Sequence, residues 1–452
     1  MLFKFFSTIL TTLIGFYINL YFPLSLGENA FYTFSILMLF SNKFFEFFDI
    51  GSSATAFYIV IENKDNKEEV NLTQLSYVLY SFLALFILII SLAIYDNYFQ
   101  MNMGLKSVIF GATYFYFIWI SMVFSKFADA LHLTKGSEII RVINKFGIFL
   151  VLIIFEFFSL EITLEYFLIL TSIILFFTSS FYIKLLNIQI KLTFNKIYRE
   201  LNRIFLRSRK LTQSNIIILI VSAFDIYFLS QITNDLGISS FNFFSQIGGA
   251  IFILSPILVP ILTREYSRNN KGKHIFKQLS YIMIIATFII IPITNLICSI
   301  SDTESIFINY YKFVSFAVVN FSILVFIRFL TNINMLSGKE KKYRVVTISV
   351  HIMSFIVSLI LILNSNLNTY TIFIKYIIFN SIWMMLLIDI KFINKKFLFD
   401  IFLISCPVII LFFFFDFFNI MTSIILIIVY CIFILFNVIN FSYHEILKLL
   451  KY

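Results

Sequence analysis

The amino-acid sequence predicts an all-α polytopic membrane protein with about 14 transmembrane helices. Apolar residues make up 60% of the 452 residues and charged residues only 13%, a balance that ordinary soluble domains do not show. The apolar residues fall in stretches of about 20, the helical length that crosses a hydrocarbon core about 30 Å thick. The positive charges also sort to one side of these stretches, which fixes their orientation.

Of the 34 Lys and Arg residues, all but five lie in alternate connecting segments or in the span ends next to them. The five exceptions are Lys43, Lys106, Lys312, Arg328 and Lys375. Because cationic segments resist translocation, the side that carries them is predicted to be cytoplasmic, and both termini lie on it. The net charge of +10 is therefore assigned to topology and to contacts with anionic membrane lipids, and no nucleic acid is predicted as a partner.

The spans follow one another with short outer connections, which leave no room outside for a folded catalytic domain. In order, they are predicted near residues 5–22, 31–57, 72–95, 105–125, 139–158, 163–185, 213–234, 238–262, 276–298, 308–334, 345–364, 369–389, 398–415 and 418–440.

The longest inner connection lies between the sixth and seventh spans. Within it, apolar residues recur at helical spacing over residues 194–205, and Lys and Arg occupy several of the other positions. This pattern predicts a basic amphipathic helix in the cytoplasmic headgroup layer. A solvated positive loop is the alternative interpretation.

An internal repeat divides the chain at this linker. The pattern L-G-x3-F-x2-F-S at 26–35 recurs at 236–245, and G-x-E at 136–138 recurs at 338–340. Because each half holds an even number of spans, both halves enter the membrane from the same side, and the repeat is parallel. The predicted domains are a six-helix bundle at 1–186, the amphipathic linker at 187–212, a second six-helix bundle at 213–392, and two extra transmembrane helices with a cytoplasmic tail at 393–452.

Ionisable side chains inside the spans are the candidate functional residues, because a charge in the bilayer needs a partner, a cavity or a function. Those singled out are Lys43, Glu46, Asp49, Asp225, Arg328 and Lys375. The three cations are predicted to bind substrate, since a guanidinium suits bidentate contact with phosphate oxygens. The three carboxylates are predicted to couple transport to an ion.

Structural roles are the alternatives for the same residues. Lys43 and Glu46 stand at i, i+3 on one helix face and can neutralise each other. Asp49 can cap a helix or anchor a loop. Arg328 can form an ion pair with a distant partner such as Asp225, and Lys375 can extend to the outer interface.

Several chemistries are excluded by the motifs. The sequence contains no GxxxxGK[ST] loop and no HExxH motif, and its three Cys and four His residues are dispersed. ATP hydrolysis, a metal centre and a cofactor are therefore not predicted.

The order of features resembles the polysaccharide flippase family (Wzx-like). The first half shows a short outer loop containing L-G, then a second span that ends in D-I-G-S-S-A (49–54). The second half shows FDIYFLSQITNDLGISSFNFFSQ (224–246), followed by Pro256 and Pro260. That family belongs to the larger group that includes the multidrug and toxic-compound extruders (MATE). The resemblance covers about residues 5–392, as a twelve-span body.

The resemblance implies a MATE-like pair of six-helix bundles in the bacterial cytoplasmic (inner) membrane, with two additional C-terminal helices. It implies a flippase, not an enzyme, that moves a polyprenyl-pyrophosphate-linked oligosaccharide such as an O-antigen repeat unit by alternating access. A polysaccharide polymerase is the implied protein partner. Two alternatives are a cation-coupled exporter of small molecules that uses Asp225 and Glu46, and an oligosaccharide polymerase, against which the short outer connections argue.

Overall fold

Helices account for the regular secondary structure of the described residues, and no strand occurs among them. The structure is a computed structural model that describes residues 7–8, 10–15, 17–18, 26–49, 51–99, 103–158, 163–189, 194–232, 235–249, 312–336, 339–364 and 368–388. These residues belong to two compact units that divide between Tyr227 and Phe228. The predicted spans at 276–298, 398–415 and 418–440 lie outside the described residues.

The N-terminal unit is built around one central helix. Its helices are α1 (helical residues within 7–18), α2 (Glu28–Asp49), α3 (Ser52–Glu62), α4 (Lys67–Phe99), α5 (Leu105–Ala130), α6 (Thr134–Phe157), α7 (Leu164–Leu185) and most of α8 (Phe194–Ile232). Helix α5 packs against α2, α3, α4, α6 and α7. Its small residues Gly111, Ala112 and Ala128 are buried, which lets neighbouring helices approach closely, as is common in membrane bundles.

The second predicted span, at 31–57, is interrupted. Helix α2 ends at Asp49 and helix α3 begins at Ser52, with Gly51 between them at a φ of 80°. A left-handed backbone is disfavoured for residues with a Cβ, so this position suits glycine. The hydrophobic pattern continues across the break, and this is why the sequence indicated one uninterrupted helix.

Helix α8 joins two segments that the sequence treated separately. It runs without interruption for 39 residues, from the predicted amphipathic linker into the seventh predicted span. Three of its cations form ion pairs with the α3–α4 hairpin: Lys196 with Glu68, Arg203 with Glu69, and Arg207 with Glu62.

One face of this segment is therefore docked on protein. The apolar side chains of Ile197 and Ile204 are buried, and Glu200 accepts a hydrogen bond from the Thr73 hydroxyl at 2.7 Å. Phe194, Tyr198 and Leu206 remain exposed. Contact of that exposed face with the headgroup layer stays a prediction.

The C-terminal unit contains α9 (Asp235–Gly249), α10 (Lys312–Leu336), α11 (Glu340–Leu363) and α12 (Thr369–Leu387). Helix α10 packs against α9, α11 and α12. Helix α12 begins with a capping box, in which Asn368 and Thr371 satisfy each other's backbone N–H groups; this arrangement stabilises a helix start. The predicted spans 345–364 and 369–389 thus begin and end within a few residues of α11 and α12.

Five helices in the described residues are long and apolar enough to cross a membrane. They are Lys67–Tyr98, Leu105–Ala130, Leu164–Leu185, Phe316–Asn334 and Lys341–Leu363. The chain is therefore an all-helical, multi-pass membrane protein, as the sequence predicts. Many large apolar side chains on these helices are exposed, which is the surface that acyl chains cover in a bilayer.

Candidate functional site

Two of the predicted site residues, Lys43 and Glu46, are joined in an ion pair on α2. The Lys43 Nζ and a Glu46 carboxylate oxygen lie 2.7 Å apart, with the two side chains 26% and 53% exposed. The structural alternative proposed from their i, i+3 spacing is therefore the arrangement observed. In this state, the Lys43 charge is balanced on its own helix.

Asp49 anchors the break between α2 and α3. Its carboxylate accepts hydrogen bonds from the Ser52 hydroxyl, from the Ser53 backbone N–H and hydroxyl, and from the Tyr77 hydroxyl, at 2.6 to 3.1 Å. The Lys126 Nζ donates to the same Ser53 hydroxyl at 2.7 Å. This contact set corresponds to the alternative of a cap or loop anchor, and an ion-coupling role for Asp49 stays a prediction.

Arg328 and Asp225 occupy contrasting surroundings on their own helices. Arg328 is exposed although its neighbours Ile327 and Phe329 are buried, so its guanidinium emerges from an otherwise apolar helix, α10. Asp225 on α8 is 1% exposed. Both residues make further contacts through rings, hydrogen bonds or charges. Substrate binding by Arg328 and ion coupling by Asp225 stay predictions.

Lys375 does not extend to the outer interface. The residue is 3% exposed, its Nζ donates to the Ser358 hydroxyl at 2.7 Å, and the Nζ lies 4.9 Å from the centroid of the Tyr376 ring. The alternative of snorkelling is not the arrangement observed, because a hydroxyl on α11 and an aromatic face offer the ammonium polar contacts inside the unit. A role in substrate binding stays a prediction.

A charged cluster that the sequence analysis passed over lies between α1 and α6. The Glu138 carboxylate is 1% exposed, pairs with the Arg141 guanidinium at 2.6 Å and accepts a hydrogen bond from the Ser7 hydroxyl. Arg141 also donates to the Thr8 hydroxyl at 2.6 Å. These contacts fasten the start of α1 to α6.

The same interface continues along both helices. A Cβ added to Gly15 would lie 3.8 Å from the Lys145 Nζ, and the rings of Tyr17 and Phe149 meet edge to face with centroids 5.3 Å apart. Because residue numbers rise together on the two helices, α1 and α6 run in the same direction. That is the relation expected of the first and fifth predicted spans.

Lys145 differs from the other membrane cations in its contacts. It is half-buried, and no hydrogen bond or ion pair joins its ammonium to any described residue. Glu138 balances Arg141, so Lys145 leaves this cluster with one net positive charge. Two buried polar atoms nearby, the Arg141 Nε and the Asn144 Oδ1, also have no hydrogen-bond partner in the part of the chain that the structure describes.

The sequence held a signal for this cluster. Glu138, Arg141 and Lys145 follow one another at i, i+3 and i+7, which places them on one helix face. The predicted span 139–158 includes Arg141 and Lys145, but both were counted as cations of its cytoplasmic end and not as charges inside the membrane. Helix α6, however, already starts at Thr134, and Lys145 is the twelfth of its 24 residues.

A metal site is not built by the described part of the chain, where no group of three or more His, Cys, Asp or Glu residues comes together. The clusters above consist instead of ammonium, guanidinium, hydroxyl and single carboxylate groups. Such groups bind anions and sugar hydroxyls by hydrogen bonding.

No protein-family model matches the sequence, and no curated protein matches it. Solved structures do match. A lipid II flippase, MurJ, in an inward closed conformation aligns with a TM-score of 0.70 and 15% identity over 96% of each chain.

An inward-facing multidrug resistance MATE transporter of the MOP superfamily aligns with a TM-score of 0.63 and 12% identity, over 88% of this chain and 95% of its own. An outward-facing MATE transporter of that superfamily gives 0.57 and 14% identity, over 89% of this chain and 94% of its own. At these identities the comparisons show a shared fold.

Proposed function

We propose that this protein flips a polyprenyl-pyrophosphate-linked oligosaccharide across a bacterial cytoplasmic membrane by alternating access. The observation that carries the proposal is an exposed arginine, Arg328, on an apolar helix of a chain that shares its fold with a lipid II flippase over nearly its whole length. An arginine within a membrane-spanning helix is costly unless it meets water or an anion. A pyrophosphate supplies the oxygens that a guanidinium binds.

The proposal includes the finer architecture predicted from the sequence. It comprises 14 spans, two MATE-like six-helix bundles related by a parallel repeat, two C-terminal helices, and both termini in the cytoplasm. The substrate would be an O-antigen or related repeat unit held with the help of Lys43, Arg328 and Lys375, and a polysaccharide polymerase would use the flipped product. The protein itself would catalyse no covalent step.

Deletion of the gene tests this function directly. We expect lipid-linked repeat units to accumulate on the inner leaflet and the surface polysaccharide to be lost. Arg328→Ala should reproduce that phenotype at normal protein level, whereas Arg344→Ala, a change of another exposed arginine near the start of α11, should leave the polysaccharide intact. Normal polysaccharide in the Arg328→Ala strain would contradict the proposal.

A second candidate function is cation-coupled export of small molecules, and Asp225 favours it. A carboxylate that is 1% exposed in helix α8 is a suitable group for binding and releasing a proton or a metal cation. Overexpression should then raise drug resistance, and Asp225→Asn should abolish the increase. Unchanged drug resistance on overexpression would exclude this function.

A further inference from the structure

The middle of α6 carries a positive charge for which the described protein supplies no counter-charge. Lys145 is the twelfth of the 24 residues of α6 and lies inside the predicted span 139–158, about 9 Å from its cytoplasmic end at a rise of about 1.5 Å per residue. Insertion of a charge within a span has a free-energy cost, which reaches about 2.5–3.5 kcal/mol for a lysine at the helix centre. A residue with that cost and no structural partner calls for an external anion.

The direction of the side chain places this charge away from the acyl chains. Residues Ile143 and Ile154 are exposed and mark the side of α6 that faces acyl chains. Lys145 is two residues from the first and nine from the second, which at about 100° per residue is about 200° and 180° around the helix. The half-buried ammonium therefore points away from the lipid-facing stripe.

Unsatisfied polar atoms on the same helix add a donor and an acceptor. The Arg141 Nε lies one helical turn before Lys145 and is a buried donor, the Asn144 Oδ1 is a buried acceptor, and neither has a hydrogen-bond partner among the described residues. Buried polar groups are normally hydrogen-bonded, so each such orphan needs an explanation. A phosphate ester near Lys145 would accept from both cationic side chains, and the Asn144 oxygen would accept from a sugar hydroxyl.

Helix α1 places a glycine opposite the Lys145 ammonium. A Cβ added to Gly15 would stand at an ordinary contact distance of 3.8 Å from the Nζ. The polar contacts of Ser7 and Thr8 to the start of α6 fix α1 in place. At Gly15, therefore, no side chain of α1 covers the ammonium.

We propose that Lys145, assisted by Arg141, is an anion site of the N-terminal unit that holds the pyrophosphate of the lipid-linked substrate. The assignment rests on the proposed flippase function and adds a contact that lies apart from Lys43, Arg328 and Lys375. It gives the N-terminal unit a headgroup ligand of its own. Lys145 supplies the net charge and Arg141 supplies one further donor.

The test measures binding to the purified full-length protein in detergent. The probes are farnesyl pyrophosphate, inorganic pyrophosphate and phosphatidylglycerol. We expect farnesyl pyrophosphate to bind, and Lys145→Gln to weaken its binding by at least about tenfold, because a hydrogen-bonded charge contact is lost. Unchanged binding by Lys145→Gln would overturn the proposal.

The three probes separate the sources of the anion. Stronger binding of farnesyl pyrophosphate than of inorganic pyrophosphate supports a lipid-linked occupant. Binding of inorganic pyrophosphate alone would assign the site to a free phosphate compound and overturn the proposal. Equal competition by phosphatidylglycerol would assign it to bulk phospholipid, with the same consequence.

Gly15 offers a matched pair of variants that leave Lys145 in place. Gly15→Glu brings a carboxylate to the ammonium, and we expect it to weaken farnesyl pyrophosphate binding as strongly as Lys145→Gln. Gly15→Gln has the same shape without the charge, and we expect it to bind farnesyl pyrophosphate clearly more tightly than Gly15→Glu does. Binding by the two variants within about twofold of each other would show that steric blockage is the cause, and would overturn the electrostatic assignment. Thermal unfolding of each variant shows whether it is folded.

The outcomes also separate this proposal from the proposed function. If gene deletion causes lipid-linked repeat units to accumulate but Lys145→Gln binds normally, the anion site is wrong and the flippase function stands. If Lys145→Gln loses farnesyl pyrophosphate and deletion has no effect on lipid-linked repeat units, the function is wrong, and the proposal that rests on it is overturned with it.

Discussion

The hydrogen bond from Lys375 on α12 to Ser358 on α11 holds a buried ammonium. Ser358→Ala removes a partner of a charged group, and such bonds contribute about 1.5–3 kcal/mol. We therefore expect the free energy of unfolding, measured by SDS titration in mixed micelles, to fall by about that amount. Ser354→Ala changes a serine that is also buried on α11, but whose hydroxyl donates no hydrogen bond to a described residue. It should cost clearly less, and equal losses would contradict the argument.

Asp49 provides a second prediction at the scale of single residues. Asp49→Ala removes an acceptor of four hydrogen bonds, including the one that caps the start of α3, and should lower the free energy of unfolding by about 2–3 kcal/mol. Asp96→Ala is the matched change, because Asp96 accepts one bond, from the Met103 backbone N–H. A loss for Asp96→Ala as large as that for Asp49→Ala would show that the cap is not the source of the stability.

The sequence predicted some residue contacts and missed others for identifiable reasons. The Lys43–Glu46 pair follows from local spacing, which a sequence displays directly. The burial of Lys375 depends on Ser358 of another helix, and tertiary contacts of this kind leave no local pattern. Lys145 was missed because it lies near the cytoplasmic end of the predicted span 139–158 and was counted with the adjoining inner loop, whereas α6 begins five residues before that span.

Close helix packing at Gly248 yields a prediction at the scale of elements. A Cβ at Gly248 would lie 2.7 Å from the carbonyl carbon of Ala317. A Cβ at the adjacent Gly249 would meet only the Phe321 ring, at 4.0 Å. Backbone cannot move aside as a side chain can, so Gly248→Ala should separate α9 from α10 and lower the free energy of unfolding by about 1–3 kcal/mol.

Gly249→Ala is the internal control for that change. It adds the same methyl group one residue further along, in ordinary contact distance, and should change stability by less than about 1 kcal/mol. Thermal unfolding in detergent compares the two variants. Equal destabilisation would mean that helix propensity, and not the α9–α10 approach, decides the effect.

Element boundaries were predictable where hydrophobicity alone sets them. Helix α7 matches the predicted span 163–185 within a residue, and α11 and α12 end close to the predicted limits. The break at Gly51 was not predicted, because apolar residues continue on both sides of it. The continuity of α8 was not predicted either, since its change from basic to apolar composition suggested two elements where the backbone forms one.

At the scale of the whole molecule, the distribution of cations predicts which loops face the cytoplasm. Alkaline phosphatase, which is active only outside, should be active when fused after residue 103 and inactive when fused after residue 66 or residue 190. Fusions of β-galactosidase at the same positions should show the opposite pattern. Phosphatase activity after residue 66 would refute the orientation and with it the cytoplasmic placement of both termini.

The docking of α8 on the α3–α4 hairpin has a consequence for biosynthesis. The partners of Lys196, Arg203 and Arg207 are all upstream glutamates, so they have been translated before α8 leaves the ribosome. Domains generally fold as units during synthesis, the N-terminal one first. The N-terminal unit can thus form these three ion pairs while the rest of the polypeptide is still being inserted into the membrane. The carboxylates of its α3–α4 hairpin are then already paired when the later segments arrive.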